Sequence, residues 1–154
     1  MKTEHASKED LKEILSLQKL AYQSEAEIYN DFTIPPLIQT LDEIKQDFSF
    51  QIFLKILVKN KIIGSVRAYK ENDTCFIGKL IVHPDFQNQG IGTELLNEIE
   101  ARFDDVKRYE LFTGHKSEKN LYLYQKLGFQ QFKTEKIHEN LHMIYLEKQN
   151  KKMS

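Results

Sequence analysis

The segment from Phe76 to Glu100 limits the possible folds of this chain more than any other stretch. An apolar run, Phe76 to Val82, predicts a buried strand, and Thr93 to Glu100 has the apolar spacing of an amphipathic helix. The loop between them contains Gly90 and Gly92, one residue apart. A glycine-rich turn that leads from a strand into a helix leaves free backbone N–H groups at a positive helix end. This arrangement favours the binding of a phosphate group.

Three phosphate-binding patterns compete for this loop. A dinucleotide-binding fingerprint would need a third glycine at the position of Leu95. A P-loop would need Lys followed by Ser or Thr directly after its last glycine, where this chain has Thr93. Neither pattern fits. The pattern that remains is Gln-x-x-Gly-x-Gly, formed by Gln87, Gly90 and Gly92.

A second segment, Asn120 to Phe129, carries another recognisable pattern. It predicts a helix that contains Tyr124 and ends in Leu-Tyr-x-Lys-x-Gly-Phe, with Gly128 as the helix stop. With the Gln87 loop, which follows Val-x-Pro, this segment resembles the GCN5-related N-acetyltransferases, the GNAT superfamily. The two segments occur in the order of that family and roughly at its spacing.

The composition indicates one globular domain. The chain has 154 residues, 40% of them hydrophobic and 29% charged, and a net charge of −1. A protein without a basic surplus is not expected to bind nucleic acid, and no apolar run suits a membrane span. The first residues lack the apolar core of a signal peptide, and a lone cysteine, Cys75, excludes an internal disulfide. We therefore expect a cytoplasmic protein, either a monomer or a homodimer.

The periodicity predicts a single-domain α/β (α+β) fold of order β-α-α-β-β-β-α-β-α-β-β, which is also the order of the GNAT fold. The expected architecture is a central, mixed, mostly antiparallel twisted sheet with helices on both faces. Residues 1–148 form the predicted domain, and residues 149–154 form a polar, frayed tail.

Two capping boxes, which begin at Ser7 and Thr40, predict helix starts. The segment Gln23 to Gln39 is expected to be irregular because Pro35 and Pro36 forbid a continuous helix. The predicted strands are Lys2–Ala6, Ile52–Val58, Ile62–Lys70, Thr74–Val82, Arg108–Thr113, Phe129–Lys136 and Leu141–Glu147.

The resemblance implies a cosubstrate, acetyl-CoA, that lies between the strand before the glycine loop and the next strand. Backbone groups near Leu80, Ile81 and Val82 would bind the pantetheine arm and the thioester carbonyl. An amine would then attack the thioester directly, without a covalent enzyme intermediate. The pyrophosphate would be held by the loop residues Gln87, Asn88, Gln89, Gly90, Ile91, Gly92 and Thr93.

The resemblance also assigns catalytic and binding roles to the second segment. Tyr124 matches the family tyrosine that acts as general acid toward the thiolate sulfur, and its ordinary pKa of about 10 keeps it protonated at neutral pH. Asn120, one turn earlier on the same face, would bind the pantetheine arm. Ser117 stands where many members carry an asparagine, and its hydroxyl can also form a hydrogen bond.

The general base is open at this stage. Glu25 is the first candidate because Gln23 to Gln39 corresponds to the wall that faces the acceptor. Ordered water is an alternative route for the proton. The other candidate bases are Glu27, His83, Glu110 and His115, and the aromatic residues that could line an acceptor pocket are Tyr22, Tyr29, Phe32 and Phe86.

Two further features of the sequence could indicate other chemistry. His138-Glu139-Asn140-Leu141-His142 matches the His-Glu-x-x-His zinc pattern, but that pattern needs a helix, and here it lies between two predicted strands. We therefore expect a hairpin turn and no metal. Cys75 has no flanking motif that would make it a nucleophile. The main hypothesis is an N-acetyltransferase that acts on a primary amine, either a small molecule or a peptide N-terminus. The alternatives are a non-catalytic acyl-CoA-binding module and a zinc hydrolase.

Overall fold

A seven-stranded sheet forms the centre of the molecule. The computed structural model describes residues 2–153, so the predicted ends at Met1 and Ser154 lie outside the described residues. The strand order is β1-β2-β3-β4-β5-β7-β6, and only the β4–β5 pair is parallel. This confirms the predicted fold class. The strands are β1 (Thr3–His5), β2 (Ile52–Val58), β3 (Lys61–Glu71), β4 (Thr74–Val82), β5 (Arg108–Gly114), β6 (Gln130–His138) and β7 (Leu141–Gln149).

Helices cover both faces of the sheet. The helices α1 and α4 pack on one face with Phe53, Ile62 and Ile81, and α5 and α6 pack on the other with Leu54 and Ile77. Neighbouring residues of a strand point to opposite faces, which explains why Phe53 and Leu54 belong to different cores. None of the described helices is long and apolar enough to cross a membrane. The helices are α1 (Leu11–Ala21), α2 (Gln23–Tyr29), α3 (Pro35–Ile38), α4 (Leu41–Phe48), α5 (Ile91–Arg102) and α6 (Glu118–Lys126).

The local signals that the sequence carries at helix starts and hairpins are confirmed. The Thr40 hydroxyl accepts a hydrogen bond from the Glu43 N–H (3.2 Å), and the Glu43 carboxylate accepts one from the Thr40 N–H (2.8 Å). The two-residue turns at residues 59–60 and 72–73 have positive φ at both positions, from 48° to 66°. Such turns match the twist of the strands that they join.

The segment Gln23 to Gln39 is more regular than we predicted. Gln23–Tyr29 forms α2, which Asn30 ends with a φ of 48°, and Pro35–Ile38 forms the single turn α3. The prolines are compatible with α3 because they occupy its first turn, where a backbone N–H has no partner within the helix. The predicted order therefore lacked two short helices.

The prediction of a frayed tail was also wrong at its start. Strand β7 continues to Gln149, and Asn150 is buried. The Asn150 side chain donates to the carbonyls of Asp104 (2.9 Å) and Val106 (2.8 Å), and its N–H donates to Lys107. These bonds fasten the end of β7 to the loop before β5.

Strand β4 contains a bulge close to the point where it separates from β5. Gly78 pairs with Arg67 and Ile81 pairs with Ser65, so two residues of β4, Lys79 and Leu80, lie opposite a single residue of β3. Lys79 has a φ of 50° at this point. Farther along, β4 and β5 separate, since their registered pairs end at Phe76 and Glu110.

Candidate active site

A cavity of about 610 Å³ lies where β4 and β5 separate. Its walls come from α2, α3, α4, β3, β4, β5, α6 and the β6–β7 hairpin. Most of the lining is apolar or aromatic, and the polar groups are few. The polar and ionisable side chains in the lining include Glu25, Asp47, Arg67, Lys79, Glu110, Thr113, Asn120 and Tyr124.

The edge of β4 beside the cavity offers backbone groups rather than side chains. Of the three residues predicted there, Leu80 lines the cavity, Ile81 is buried against α1 and α4, and Val82 packs against the other core. Past Phe76, no described strand pairs with this edge. Backbone groups on the edge are therefore free to bind an extended ligand.

The glycine loop (Gln87–Thr93) leads from β4 into α5. Gln87, Asn88, Gln89 and Gly90 are exposed, whereas Ile91 is buried and Gly92 and Thr93 are partly buried. Gly90 caps the helix with a φ of 79°, and its α-carbon faces open space. The first bond of α5 runs from the Glu94 N–H to the Gly90 carbonyl (3.0 Å). The N–H groups of Ile91, Gly92 and Thr93 precede that bond and point out of the positive helix end, so they suit an anion.

Gly92 lies where α5 approaches α6 closely. A β-carbon at this position would lie 3.1 Å from Leu123 Cδ2 and 3.8 Å from Leu80 Cδ2. It would point toward α6 and not toward the open space in front of the helix. Gly92 therefore permits the close contact of α5 with α6, while Gly90 provides the left-handed turn.

Tyr124 lies on α6 with its ring buried and its hydroxyl toward the cavity. The residue is 5% exposed, lines the cavity, and makes no side-chain hydrogen bond to any residue of the described chain. Burial raises the pKa of Tyr124, and the nearby Tyr22 and Glu25 raise it further. The hydroxyl is thus a protonated and unoccupied donor in an apolar setting.

Glu25 also lines the cavity, and a chain of hydrogen bonds holds its carboxylate there. The Lys116 N–H donates to the Tyr29 hydroxyl (2.8 Å), which bonds to the Ser117 hydroxyl (2.8 Å). Ser117 then donates to the Glu25 carboxylate. This network fixes one carboxylate oxygen of Glu25 on the cavity wall. It also shows that the Ser117 hydroxyl, which we predicted to bind a cosubstrate, is already engaged by two side chains.

Gly114 makes room for this network at the end of β5. A β-carbon there would overlap with the hydroxyl and the ring of Tyr29. Sequence reasoning missed Gly114, because its role depends on a residue 85 positions earlier that only the fold brings close. Asn120 lines the cavity next to this point and donates to the Thr113 hydroxyl (3.2 Å).

The remaining candidate bases differ in whether they line the cavity. Glu110 lines the cavity, but its carboxylate pairs with Arg108 (3.0 Å). Glu27 is exposed on α2, and neither His83 nor His115 is among the residues that line the cavity. Of the aromatic candidates, Tyr22 and Tyr29 line the cavity, whereas Phe32 is half-exposed and Phe86 packs against His83.

The zinc pattern has no metal-binding geometry. His138 and His142 lie on the antiparallel β6–β7 hairpin, where His138 pairs with Leu141 and bonds to Asp31 (3.2 Å). No group of three or more His, Cys, Asp or Glu residues within residues 2–153 is placed to hold a metal ion. Cys75 is fully buried, and burial raises the pKa of its thiol to about 12, which disfavours the nucleophilic thiolate.

Charged residues from β3 and β4 were not anticipated as part of the site. Arg67 is buried, pairs with Asp47 (2.9 Å), bonds to Gln18 and lies over the Phe53 ring (4.4 Å). Lys79 lines the cavity beside this pair. We call the part of the cavity formed by Tyr22, Glu25, Arg67 and Lys79 the polar end. Burial, followed by the charge of Glu25, raises the pKa of Tyr22 to about 12.

The chain matches a known family and several known proteins. A model of the acetyltransferase (GNAT) family matches residues 11–129. The UPF0157 protein YqkA of Bacillus subtilis strain 168 is 32% identical over 130 residues, which are 84% of this chain and 37% of the relative. This chain therefore spans little more than a third of the length of that curated relative.

Solved structures share the fold. PaiA N-acetyltransferase from Thermoplasma acidophilum, in complex with coenzyme A, has a TM-score of 0.80 at 20% identity and covers 97% of this chain and 99% of its own. A GNAT family acetyltransferase from Elizabethkingia anophelis with acetyl-CoA bound has a TM-score of 0.63 at 30% identity, over 71% and 83% of the two chains. Since the family model also matches most of the sequence, the chain belongs to the GNAT family of acetyltransferases.

Proposed function

We propose that this protein transfers an acetyl group from acetyl-CoA directly to a primary amine, on a small molecule or a peptide N-terminus. The observation that carries the proposal is the position of Tyr124. Its hydroxyl is protonated and unoccupied, and it faces the cavity at the separation of β4 and β5. A general acid must be protonated and able to reach the departing group, and a hydroxyl that faces a cavity without a protein partner has both properties.

The residues of the chain fit acetyl-CoA along the length of that cosubstrate. The helix N–H groups and Gly90, which faces open space, suit the pyrophosphate. The unpaired edge of β4 near Leu80 suits the amides of the pantetheine arm. Asn120 stands beside this edge on α6. Relatives of the same fold have been solved with CoA and with acetyl-CoA bound, which supports this choice of cosubstrate.

The proposed transfer requires two proton movements. The amine nitrogen attacks the thioester carbon, a C–N bond forms, and the C–S bond breaks. Tyr124 donates its proton to the departing sulfur, so that CoA leaves as a thiol. Glu25 accepts the amine proton, directly or through water, and the proton that Tyr124 lost is restored from solvent. Ser117 serves to position Glu25, because its hydroxyl donates to that carboxylate.

Two carboxylates of the lining could serve as the general base. Glu25 has one carboxylate oxygen held by Ser117 and acts electrostatically on both Tyr22 and Tyr124. Glu110 is the second candidate, but its carboxylate is engaged in an ion pair with Arg108, which also pairs with Glu147. We prefer Glu25 because its carboxylate forms no ion pair in the described chain and can contact an amine without breaking one.

The test is the release of CoA thiol from acetyl-CoA in the presence of a panel of polyamines, aminoglycosides, amino acids and short peptides. We expect at least one class to give turnover above the hydrolysis rate without an amine, and mass spectrometry to find the acetylated amine. Binding of acetyl-CoA without turnover on any member would favour the alternative, a non-catalytic acyl-CoA-binding module. Absence of acetyl-CoA binding would contradict both.

A further inference from the structure

Lys79 occupies an unusual position in the site. It is the residue with a φ of 50° in the β4 bulge, and its side chain is half-buried. It lines the main cavity and also a smaller recess of about 200 Å³ next to α3 and α4. The bulge directs this side chain to the face that carries Arg67, at the polar end of the cavity.

This half-buried cation has no counter-ion in the part of the chain that the structure describes. Ion pairs within 4.0 Å are found for Lys55, Arg67, Arg108 and Lys148, which are buried to a similar or greater degree, but not for Lys79. Buried charges are normally paired, because an unpaired one loses hydration without compensation. An unpaired ammonium group that lines a cavity, as that of Lys79 does, is suited to bind an anionic ligand.

The acidic residues near Lys79 are already engaged. Asp47 binds Arg67 (2.9 Å) and the Gln39 amide (2.8 Å), and Glu43 accepts the Thr40 N–H as the helix cap. Burial and the positive charge of Arg67 lower the pKa of Lys79, and Asp47 opposes this only in part. Asp47 is thus committed to Arg67, and no carboxylate of residues 2–153 forms an ion pair with the Lys79 ammonium group.

The same cavity also carries negative groups. Glu25 of α2 lines it and forms no ion pair within residues 2–153, and both Glu25 and Arg67 act on Tyr22. The two other acids of the lining are paired, Asp47 with Arg67 and Glu110 with Arg108, which also pairs with Glu147. The described lining therefore contains one carboxylate and one ammonium group, Glu25 and Lys79, that have no ion-pair partner.

We propose that the acceptor is an amine that also carries a carboxylate, and that Lys79 binds this carboxylate while the amine faces Glu25 and Tyr124. Amino acids and related amino carboxylates have this combination of charges. The inference rests on the proposed acetyl transfer and adds the class of acceptor. A charge-assisted bond from Lys79 is expected to favour a carboxylate over an uncharged amide by about 10- to 100-fold.

The experiment compares kcat/KM for amino acids with kcat/KM for their C-terminal amides, using CoA thiol release. For the wild-type protein we expect a carboxylate-to-amide ratio of about 10 to 100. In Lys79→Met the ratio should fall toward one, and in Lys79→Arg it should be largely retained. Lys12→Met, an exposed lysine of α1, is the matched control and should keep the wild-type ratio.

A second readout needs no turnover. Calorimetry on the CoA-loaded protein would compare an N-acetyl amino acid with its amide, and the same preference should appear and be lost in Lys79→Met. Equal kcat/KM for acids and amides, or equal affinity for their acetylated products, would overturn this inference alone. A weaker Kd for CoA in Lys79→Met would also overturn it, since the lysine would then serve the cosubstrate. Silence with every amine would count against acetyl transfer itself, while the calorimetry would still decide the role of Lys79.

Discussion

The glycine loop and the polar end of the cavity are built by different means. The loop uses backbone groups from one continuous stretch, Gln87 to Thr93, at the start of α5. The polar end uses side chains from α2, β3 and β4, namely Glu25, Arg67 and Lys79. In the proposed function, the backbone groups of the loop bind the pyrophosphate that all acyl-CoA molecules share, whereas the side chains of the polar end can differ for each acceptor. The comparison teaches that one part of such a site can stay constant while the other changes its specificity.

Tyr124→Phe acts where the two parts meet and should have the largest effect. Loss of the proton donor should lower kcat by about 100-fold or more, because CoA would have to leave as an unprotonated thiolate. The Kd for acetyl-CoA should stay within a factor of about two, since the ring remains in the core. Steady-state kinetics and calorimetry check both values. An unchanged kcat would remove Tyr124 from the mechanism.

Gly114→Ala should damage the polar end and spare the loop. The added methyl group would overlap with Tyr29, so the network that holds Glu25 must shift. We expect a loss of about 1–3 kcal/mol in the free energy of unfolding, together with a lower kcat/KM for the amine. Chemical denaturation and kinetics provide the measurements. If the Kd for acetyl-CoA rose as much as the KM for the amine, the two parts would not be separable.

Gly90→Val should damage the loop and spare the polar end. A β-branched residue at a φ of 79° is strained by about 1–2 kcal/mol, and relief of that strain would move the start of α5. The Kd for acetyl-CoA should rise by about 10-fold, with little change in the KM for the amine. An acetyl-CoA titration that matches the wild-type curve would argue against a phosphate site at this loop.

Gly92→Ala should have the smallest effect. The new methyl group would press on the end of the Leu123 side chain at 3.1 Å, which can move by a few tenths of an ångström. We expect a stability change of no more than about 1 kcal/mol and less than a threefold change in the Kd for acetyl-CoA. If Gly92→Ala weakened binding more than Gly90→Val, the roles given to the two glycines would have to be exchanged.

Much of the fold could be predicted because its signals are local. The bounds of β2 and β4 follow from apolar runs, and the turns at residues 59–60 and 72–73 follow from polar breaks. The glycine loop is equally local, so its position between β4 and α5 was predicted, whereas its binding of a pyrophosphate stays a prediction. Asn150 lies in a polar stretch, and we assigned it to a frayed tail. The sequence does not show that its side-chain amide donates to the carbonyls of Asp104 and Val106.

The polar end could be predicted only in part. Glu25 and Tyr29 were expected near the acceptor, but Lys79 was not, since a lysine in an apolar strand gives no sign of a bulge. Arg67 could have been noticed, because a charged residue in the middle of an apolar strand needs a buried partner. Its partners are Gln18 of α1, Gln39, which follows α3, and Asp47 of α4. These residues are far from Arg67 in the sequence, so the sequence does not show that they meet around it.

The bulge in β4 also bears on how this fold can change during evolution. Because of the extra residue, Ile77 faces one core of the molecule and Ile81 faces the other, although four positions separate them. Removal of Lys79 alone would leave the facing of the flanking residues unchanged, because Leu80 and Val82 already pack on the core that contains Ile77, and Ile81 packs on the other. The bulge can therefore be gained or lost through a single residue without turning β4 inside out. A descendant without the extra residue would keep both cores and lose the cation that Lys79 places in the cavity, so the charge of the site can change while the fold is retained.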